Sequence, residues 1–350
     1  MDTLERPATR PVRFNDPQVE MAHGAGGKVT RRLIEGLIAP LLANPALDPL
    51  SDSAICEIEG VRFATTADAF VVKPLRFPGG SIGELAVNGT VNDLAVAAAR
   101  PIALMATFIL EAGLPGDVLR FEVEALAQAA RRAGVAVIGG DTKVVEHGMA
   151  DGMYISTFGV GQLDARAHLD AKSVRSGDSV LVTGPIGDHG ITILLARGEL
   201  DLEAALVSDT RPLTPLAAAL LDAAAPGLRW MRDPTRGGVA TALNELARDC
   251  RLAVVLQEES IPVRNEVRGA CEILGLDPLH IANEGQLLAV VSAEHSDAAL
   301  AALRGVAGGE QASVIGEIRE GPSATVLAVS GYGGSRVIDM LVGDPLPRIC

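Results

Sequence analysis

Aromatic residues are scarce in this chain: one Trp, two Tyr and seven Phe among 350 residues. Its cores must therefore be filled by Ala, Val, Leu and Ile. Long apolar runs are missing as well. No 18-residue stretch is both apolar and free of charge, which speaks against a membrane-spanning helix. The opening MDTLERPATRPVRF lacks the apolar centre of a secretory signal. Basic clusters are absent too. Lys and Arg number 30 against 44 Asp and Glu, a net charge of −14, so nucleic acid is not an expected partner. The four cysteines, Cys56, Cys250, Cys271 and Cys350, form no C-x-x-C pair, which argues against a zinc knuckle. A reduced, cytoplasmic location is expected on these grounds. Cys56, Cys250 and Cys271 stand in apolar or helical contexts and read as inert core thiols. The six histidines show no metal-ligand pairing, and no Gly-x-Ser-x-Gly supports a hydrolase elbow. Repeats of solenoid period are also lacking.

What is present suits a globular protein of about two domains: 48% hydrophobic residues, 21% charged and 38 Gly. The expected organisation is an arm and Gly-rich segment over 1–45, a first domain over 46–165, a second over 172–342 and a flexible tail over 343–350. Strands are expected over 61–73, 103–110 and 153–160. A short buried strand over 135–138 should end in Gly139-Gly140-Asp141-Thr142-Lys143. Ser81 and Glu84 form an S-x-x-E pattern that should cap a helix starting at Ile82. A second helix should run from Asp117 to Gly134, the latter at its C′ position. In the second half, strands are expected over 179–183, 253–256 and 287–292, and helices over 239–248 and near 265–274. Helices and strands do not strictly alternate, so the fold class is α+β, with two α/β-layer domains.

Several residue types stand where structure alone would not put them. His23-Gly24-Ala25-Gly26-Gly27-Lys28 runs into a helical pattern but fits neither G-x-x-x-x-G-K-[ST] nor G-x-G-x-x-G. Gly26 and Gly27 can still offer bare N–H groups to an anion. Asp52, Asp68, Asp93 and Asp141 stand at element edges or among apolar neighbours, where a carboxylate needs pairing or a cation. Together with Lys143 they suggest an oxygen shell for Mg²⁺ and a triphosphate. Arg236, before Gly237-Gly238, is a candidate phosphate contact, and Glu284 in Asn283-Glu284-Gly285 a candidate base. His189 lies in a Gly-rich loop and could line a pocket. Pro345 and Pro347 favour an extended, solvated arm that ends on Cys350.

On these runs the chain resembles the HypE family of hydrogenase maturation proteins, within the superfamily of aminoimidazole ribonucleotide synthetase and selenophosphate synthetase. The stretches that carry the resemblance are HGAGGK (23–28), PLRFPGGSIGELAVNGTVNDLAV (74–96), GDTKVV (140–145), MRDPTRGGVATALNELA (231–247), IPVRNEVRGACEILGLDPLHIANEGQL (261–287) and PRIC (347–350). The resemblance implies an N-terminal ATP-binding domain whose sheet pairs across a homodimer. It implies ATP and Mg²⁺, with Asp52, Asp68, Asp93 and Asp141 at metal or phosphate. Gly26, Gly27, Asn92, Thr142, Lys143 and Arg236 are then nucleotide contacts, and Cys350, Glu284 and Lys143 the catalytic set. It further implies that a HypF carbamoyltransferase loads Cys350, that ATP-dependent dehydration makes a thiocyanate, and that cyanide passes to a HypC–HypD complex. Ala67, Ala69 and Ser81 depart from the family pattern. Two rival readings are a small-molecule kinase or synthetase with no role for Cys350, and an ATP-dependent scaffold.

Overall fold

Residues 54–70 alternate small or β-branched side chains, and Glu59 and Gly60 both take positive φ (51° and 79°). That pair closes the two-residue turn of a hairpin. The structure is a computed structural model that describes residues 12–47, 50–198, 204–343, 346 and 348–350. Ahead of the hairpin lie α1 (Lys28–Leu33), a π-helical stretch Ile34–Ile38 and the short α2 (Ala39–Leu41). The hairpin itself is β1 (Ala54–Ile58) and β2 (Val61–Phe70). A small ribbon, β3 (Arg76–Phe77) and β4 (Gly80–Ser81), leads into α3 (Ile82–Val96). Then come β5 (Ala99–Glu111), α4 (Gly116–Ala133), β6 (Ala136–Val145) and β7 (Met153–Leu163). The sheet order is β1-β2-β7-β5-β6. Ala64, Thr66 and Phe70 of β2 turn inward and are buried, whereas Ala67 and Ala69 between them are exposed.

Two local expectations are corrected here. Ser81 is the N-cap of α3, but its hydroxyl makes no hydrogen bond and Glu84 pairs with Arg132 of α4 instead. Packing of an almost wholly buried α3 starts this helix, not a capping box. The strand expected to be short and buried is β6, ten residues long, at the sheet edge and mostly exposed. Gly140 belongs inside it: a Cβ there would lie 1.7 Å from the Ala106 carbonyl oxygen of β5. Close strand approach, not a turn, requires that glycine.

The second half opens with β8 (Ser179–Val182) and α5 (Asp188–Ala196), followed by α6 (Thr214–Ala224), β9 (Leu228–Arg232) and α7 (Gly238–Cys250). It continues through β10 (Ala253–Gln257), α8 (Asn265–Leu274), β11 (Leu288–Val291) and α9 (Ser296–Arg304). It closes with β12 (Ser313–Arg319), β13 (Thr325–Val329) and β14 (Ser335–Ile338). The seven strands lie in the order β14-β13-β10-β12-β8-β11-β9. Val180, Val182, Leu288 and Val290 pack with Val239, Leu243 and Leu246 of α7 on one face. Their alternates Leu181, Ala289 and Val291 pack with Leu216 and Leu220 of α6 and Leu303 of α9 on the other. Burial on both faces is why these strands read as unbroken apolar runs.

A further core joins the two halves, and the C-terminal tail is part of it. Leu346, Ile349 and Cys350 are buried with Phe70, Val72 and Phe77 of the first half and Ile191, Val267 and Ile281 of the second. Leu346, Ile349 and Cys350 of the tail are therefore packed rather than solvated, while Arg348 is half-buried and Gly343 exposed; Pro345 and Pro347 lie outside the described residues. Cys271 is buried and Cys250 half-buried, but Cys56 is exposed on β1, an edge strand. Among the described residues no helix is long and apolar enough to cross a membrane.

Candidate active site between the two halves

Three separate elements bring carboxylates together at the junction. Asp52 stands just before β1, Asp93 on α3 and Asp233 just after β9, with ligand oxygens within 4.8 Å of one another. Thr66 donates to Asp93 at 2.7 Å, and Arg232 pairs with Asp52 at 2.9 Å. Burial, then the charges of Asp233, Asp52 and Asp68, push Asp93 well above the usual carboxylate range. Burial and the neighbouring Asp52 push Asp233 up to about 8. Asp68 belongs to the same field: its charge raises both residues, and Arg236 opposes its own upward displacement. Hard carboxylate oxygens at this spacing fit a small divalent cation such as Mg²⁺, whose charge would offset the cost of their burial.

Glu284 lies beside this group. It is buried, and its Oε1 has no hydrogen-bond partner. Burial raises its carboxyl well above the ordinary value, Asp233, Asp68 and Asp209 add to this, and Arg236 opposes it. Its backbone is held at both ends: its N–H donates to Asp209 at 3.0 Å, and its carbonyl accepts from Asn92 at 3.1 Å. Gly285 must follow, because a Cβ there would lie 1.7 Å from the Asp209 carbonyl oxygen. A buried acid on a fixed backbone, with one oxygen uncommitted, suits proton transfer.

Arg236 connects these acids to a cavity of about 530 Å³ that Gly24, Val71, Ile349 and Cys350 also line. Its Nη1 donates to the Gly24 carbonyl at 3.0 Å. Cys350 is 7% exposed, and an oxygen of its main-chain carboxylate accepts from the Val71 N–H at 3.0 Å. Arg236 thus faces the cavity that Cys350 lines and also acts on Asp68 and Glu284 of the acid group.

Other expected site residues lie differently. Gly26 and Gly27 are required by packing: a Cβ would lie 2.8 Å from the Arg236 carbonyl oxygen at the first and 2.2 Å from that of Leu341 at the second. The Gly26 N–H already donates to Thr30 and that of Lys28 to Leu341, so the loop is not a row of bare donors. Asn92, expected as a nucleotide contact, has its amide engaged within the protein. Its amide donates to the Arg211 and Glu284 carbonyls and accepts from the Leu213 N–H, so it ties α3 to the second half. Asp141, Thr142 and Lys143 sit on β6. Asp68 aligns with Thr157, Ala106 and Gly140 across the sheet, so Asp141 is three strand spacings away and one residue along. That is about 14 Å, with the side chain on the opposite face. Asp141 instead pairs with Lys143 at 2.6 Å, which together with the Thr142 N–H holds its carboxyl low.

Sequence reasoning missed Asp233 and Asp209. The first carried a signal, a carboxylate between a strand and Pro234 that resembles the other edge aspartates. The second, between Ser208 and Thr210, carried none.

The two halves match the models for AIR synthase related protein, N-terminal domain over residues 50–163 and C-terminal domain over residues 175–328. The fold is that of this class of two-domain protein. Within it, the chain is 50% identical over 332 residues to carbamoyl dehydratase HypE of Azotobacter vinelandii, covering 95% of this chain and 97% of that protein. It is similar to a chain of the crystallised HypE–HypF complex (TM-score 0.84, 40% identity, 88% of this chain and 99% of that one). It is also similar to hydrogenase maturation protein HypE crystallised with ATP (TM-score 0.79, 41% identity, 94% and 99%). The chain belongs to the carbamoyl dehydratase HypE family.

Proposed function

We propose that this chain is an ATP-dependent carbamoyl dehydratase of hydrogenase maturation that works on a carbamoyl group carried by its own Cys350. The observation that carries this reading is the burial of Cys350 against the Arg236 cavity, where Arg236 also acts on Asp68 and Glu284. The similarity to structures containing HypF and ATP supports a HypF carbamoyltransferase as the donor and ATP as the second substrate. A carrier thiol must stay reduced, which favours the cytoplasm. The acceptor in this reading is a HypC–HypD complex, which passes the cyanide to the iron of a NiFe hydrogenase.

The chemistry balances as the removal of one water. The carbamoyl oxygen attacks the γ-phosphorus of ATP, and the bond to ADP breaks. The nitrogen gives up two protons, the C–O bond breaks, and phosphate leaves with the bonding pair. A thiocyanate remains on sulfur. Glu284 is the acceptor for the first N–H proton, and its raised proton affinity makes it a strong base once ionised. Arg236 stabilises the charge that develops on the transferring phosphoryl group. Asp52, Asp93 and Asp233, with Asp68 beside them, would hold Mg²⁺, which supplies neutralisation of the phosphate oxygens when bound. In this reading Gly26 and Gly27 close over the phosphates. Asp141, Thr142 and Lys143 reach them from the second copy of a homodimer.

Intact mass tests the reaction. Protein carbamoylated by its donor should lose the mass of one water on addition of Mg-ATP, in step with one phosphate released per chain. The Glu284→Gln variant should stay carbamoylated, because an amide keeps the shape and takes no proton at neutral pH. ATP turnover that is unaffected by Cys350→Ser would instead favour the small-molecule kinase.

A further inference from the structure

We infer that His189 is a positioning residue that latches the C-terminal tail and so fixes where the Cys350 sulfur arrives. This rests on the proposed reaction only in that Cys350 is the group delivered. Three main-chain oxygens of the tail are held, two carbonyls and one carboxylate oxygen. Arg348 O accepts from the Lys73 N–H at 3.2 Å and from Arg197 at 3.0 Å, and Cys350 O from the Val71 N–H at 3.0 Å. Between them, Ile349 O lies 2.6 Å from His189 Nε2. The backbone donors on 71–73 would hold any strand laid beside them. The imidazole is different, because it comes from α5 in the other half of the molecule and is completely buried.

Its hydrogen bonds leave one arrangement. A carbonyl only accepts, so Nε2 carries the hydrogen. In the neutral ring Nδ1 then offers a lone pair, and the Ser208 hydroxyl at 2.7 Å donates to it. The same Ser208 oxygen accepts the Thr210 N–H at 3.1 Å. Thr210 to Ser208 to His189 to Ile349 is therefore a chain of donors running one way, with each member satisfied. Phe77 meets the ring edge-to-face, with centroids 5.6 Å apart. The next residue completes the seat. A Cβ on Gly190 would lie 2.6 Å from Ile281 Cγ2 and 3.2 Å from Leu346 Cδ1, so its absence makes room for the tail's leucine. The first turn of α5 thus recognises the tail through one backbone carbonyl and one apolar side chain.

Alkylation of the full-length protein by iodoacetamide, read at each cysteine by peptide mass, tests the latch. Cys271 lies in the same core and serves as the internal control. His189→Leu should raise the labelling rate of Cys350 about tenfold, as expected for losing one buried hydrogen bond, and leave Cys271 at its wild-type rate. His189→Gln, which can still donate to Ile349, should return Cys350 to near the wild-type rate. If the leucine variant does not fold, Ser208→Ala supplies the same reading, because it removes the partner that orients the ring. Unchanged Cys350 labelling in the folded variants would overturn the inference. So would an equal rise at Cys271, which would mean general loosening of the core. The measurement needs neither ATP nor a carbamoyl donor, so failure of the latch and failure of the proposed reaction show in separate experiments.

Discussion

His189 is fully buried, and burial pulls its imidazole from 6.5 down to about 4, with the bond to Ile349 opposing. In that window the unfolded chain binds a proton that the folded chain does not. The contribution of His189 is therefore complete above about pH 6.5 and is lost as the pH falls toward 4. A gap of 6.5 less about 4 corresponds to about 3 kcal/mol. The buried acids Asp93, Asp233 and Glu284 act with the opposite sign: their folded values are raised, so their protonated forms favour the folded chain at low pH. The difference between two proteins isolates the histidine. Urea unfolding should show His189→Gln losing less stability than wild type between pH 7 and pH 5. Parallel losses would assign the acid sensitivity elsewhere. In sequence His189 was legible as a residue of a glycine loop, but its partners Ser208 and Ile349 are 19 and 160 positions away. No local pattern could pair them.

At the scale of elements, the acid cluster exists because a loop, a helix and a second loop converge. Asp93 looked out of place in an Ala- and Val-rich helix because α3 is buried along nearly its whole length. That mismatch between residue and environment is readable from sequence. Its resolution is not, because Asp233 enters from the other half of the chain. If the three carboxylates share one cation, each should matter to Mg-dependent nucleotide binding. Asp233→Asn should weaken Mg-ATP affinity by at least about tenfold, the scale on which metal sites respond to loss of even a supporting group. The same change should not lower the melting temperature without nucleotide, since it relieves repulsion with Asp52 and Asp68. Calorimetric titration with unchanged affinity would remove Asp233 from the site. Gly139-Gly140 looks like a turn, and only the neighbouring strand reveals that Gly140 is there for the Ala106 carbonyl.

At the scale of the whole molecule, one face of the first sheet carries α3, and among the described residues no other helix packs closely on β2, β7 or β5. The row opposite to Asp68 contains Ala67, Phe158 and Met105, and Phe158 and Met105 are 42% and 43% exposed. Beside them β6 is an open edge with Ile138 and Val144 exposed. Uncovered apolar sheet surface with an unpaired edge is where a second copy would dock in the proposed homodimer. Light scattering at micromolar concentration should give twice the 36.2 kDa chain mass. Phe158→Asp combined with Ile138→Glu should halve it and, if Asp141 and Lys143 serve the neighbouring copy, weaken ATP binding as well. A wild-type protein of single-chain mass would defeat both expectations.

The sequence by itself determined the layered α+β class and most strands and helices up to residue 292, and it singled out Asp52, Asp68, Asp93, Arg236, Glu284 and Cys350 as candidates. Those readings rest on local pattern: period, caps, turns, and charges set among apolar neighbours. Tertiary structure alone decided which of them meet. It joined Asp233 to Asp52 and Asp93, set Asp141 and Lys143 on an exposed edge away from them, and spent the Asn92 amide on three backbone groups. It also drew the tail into the core between the halves, where Leu346 and Ile349 bury more apolar surface than an arm in water would. Two prolines made that segment read as extended. Whether an extended segment is solvated or packed depends on the surface it meets, and that surface is built from residues far away in the chain, from Phe70 to Ile281.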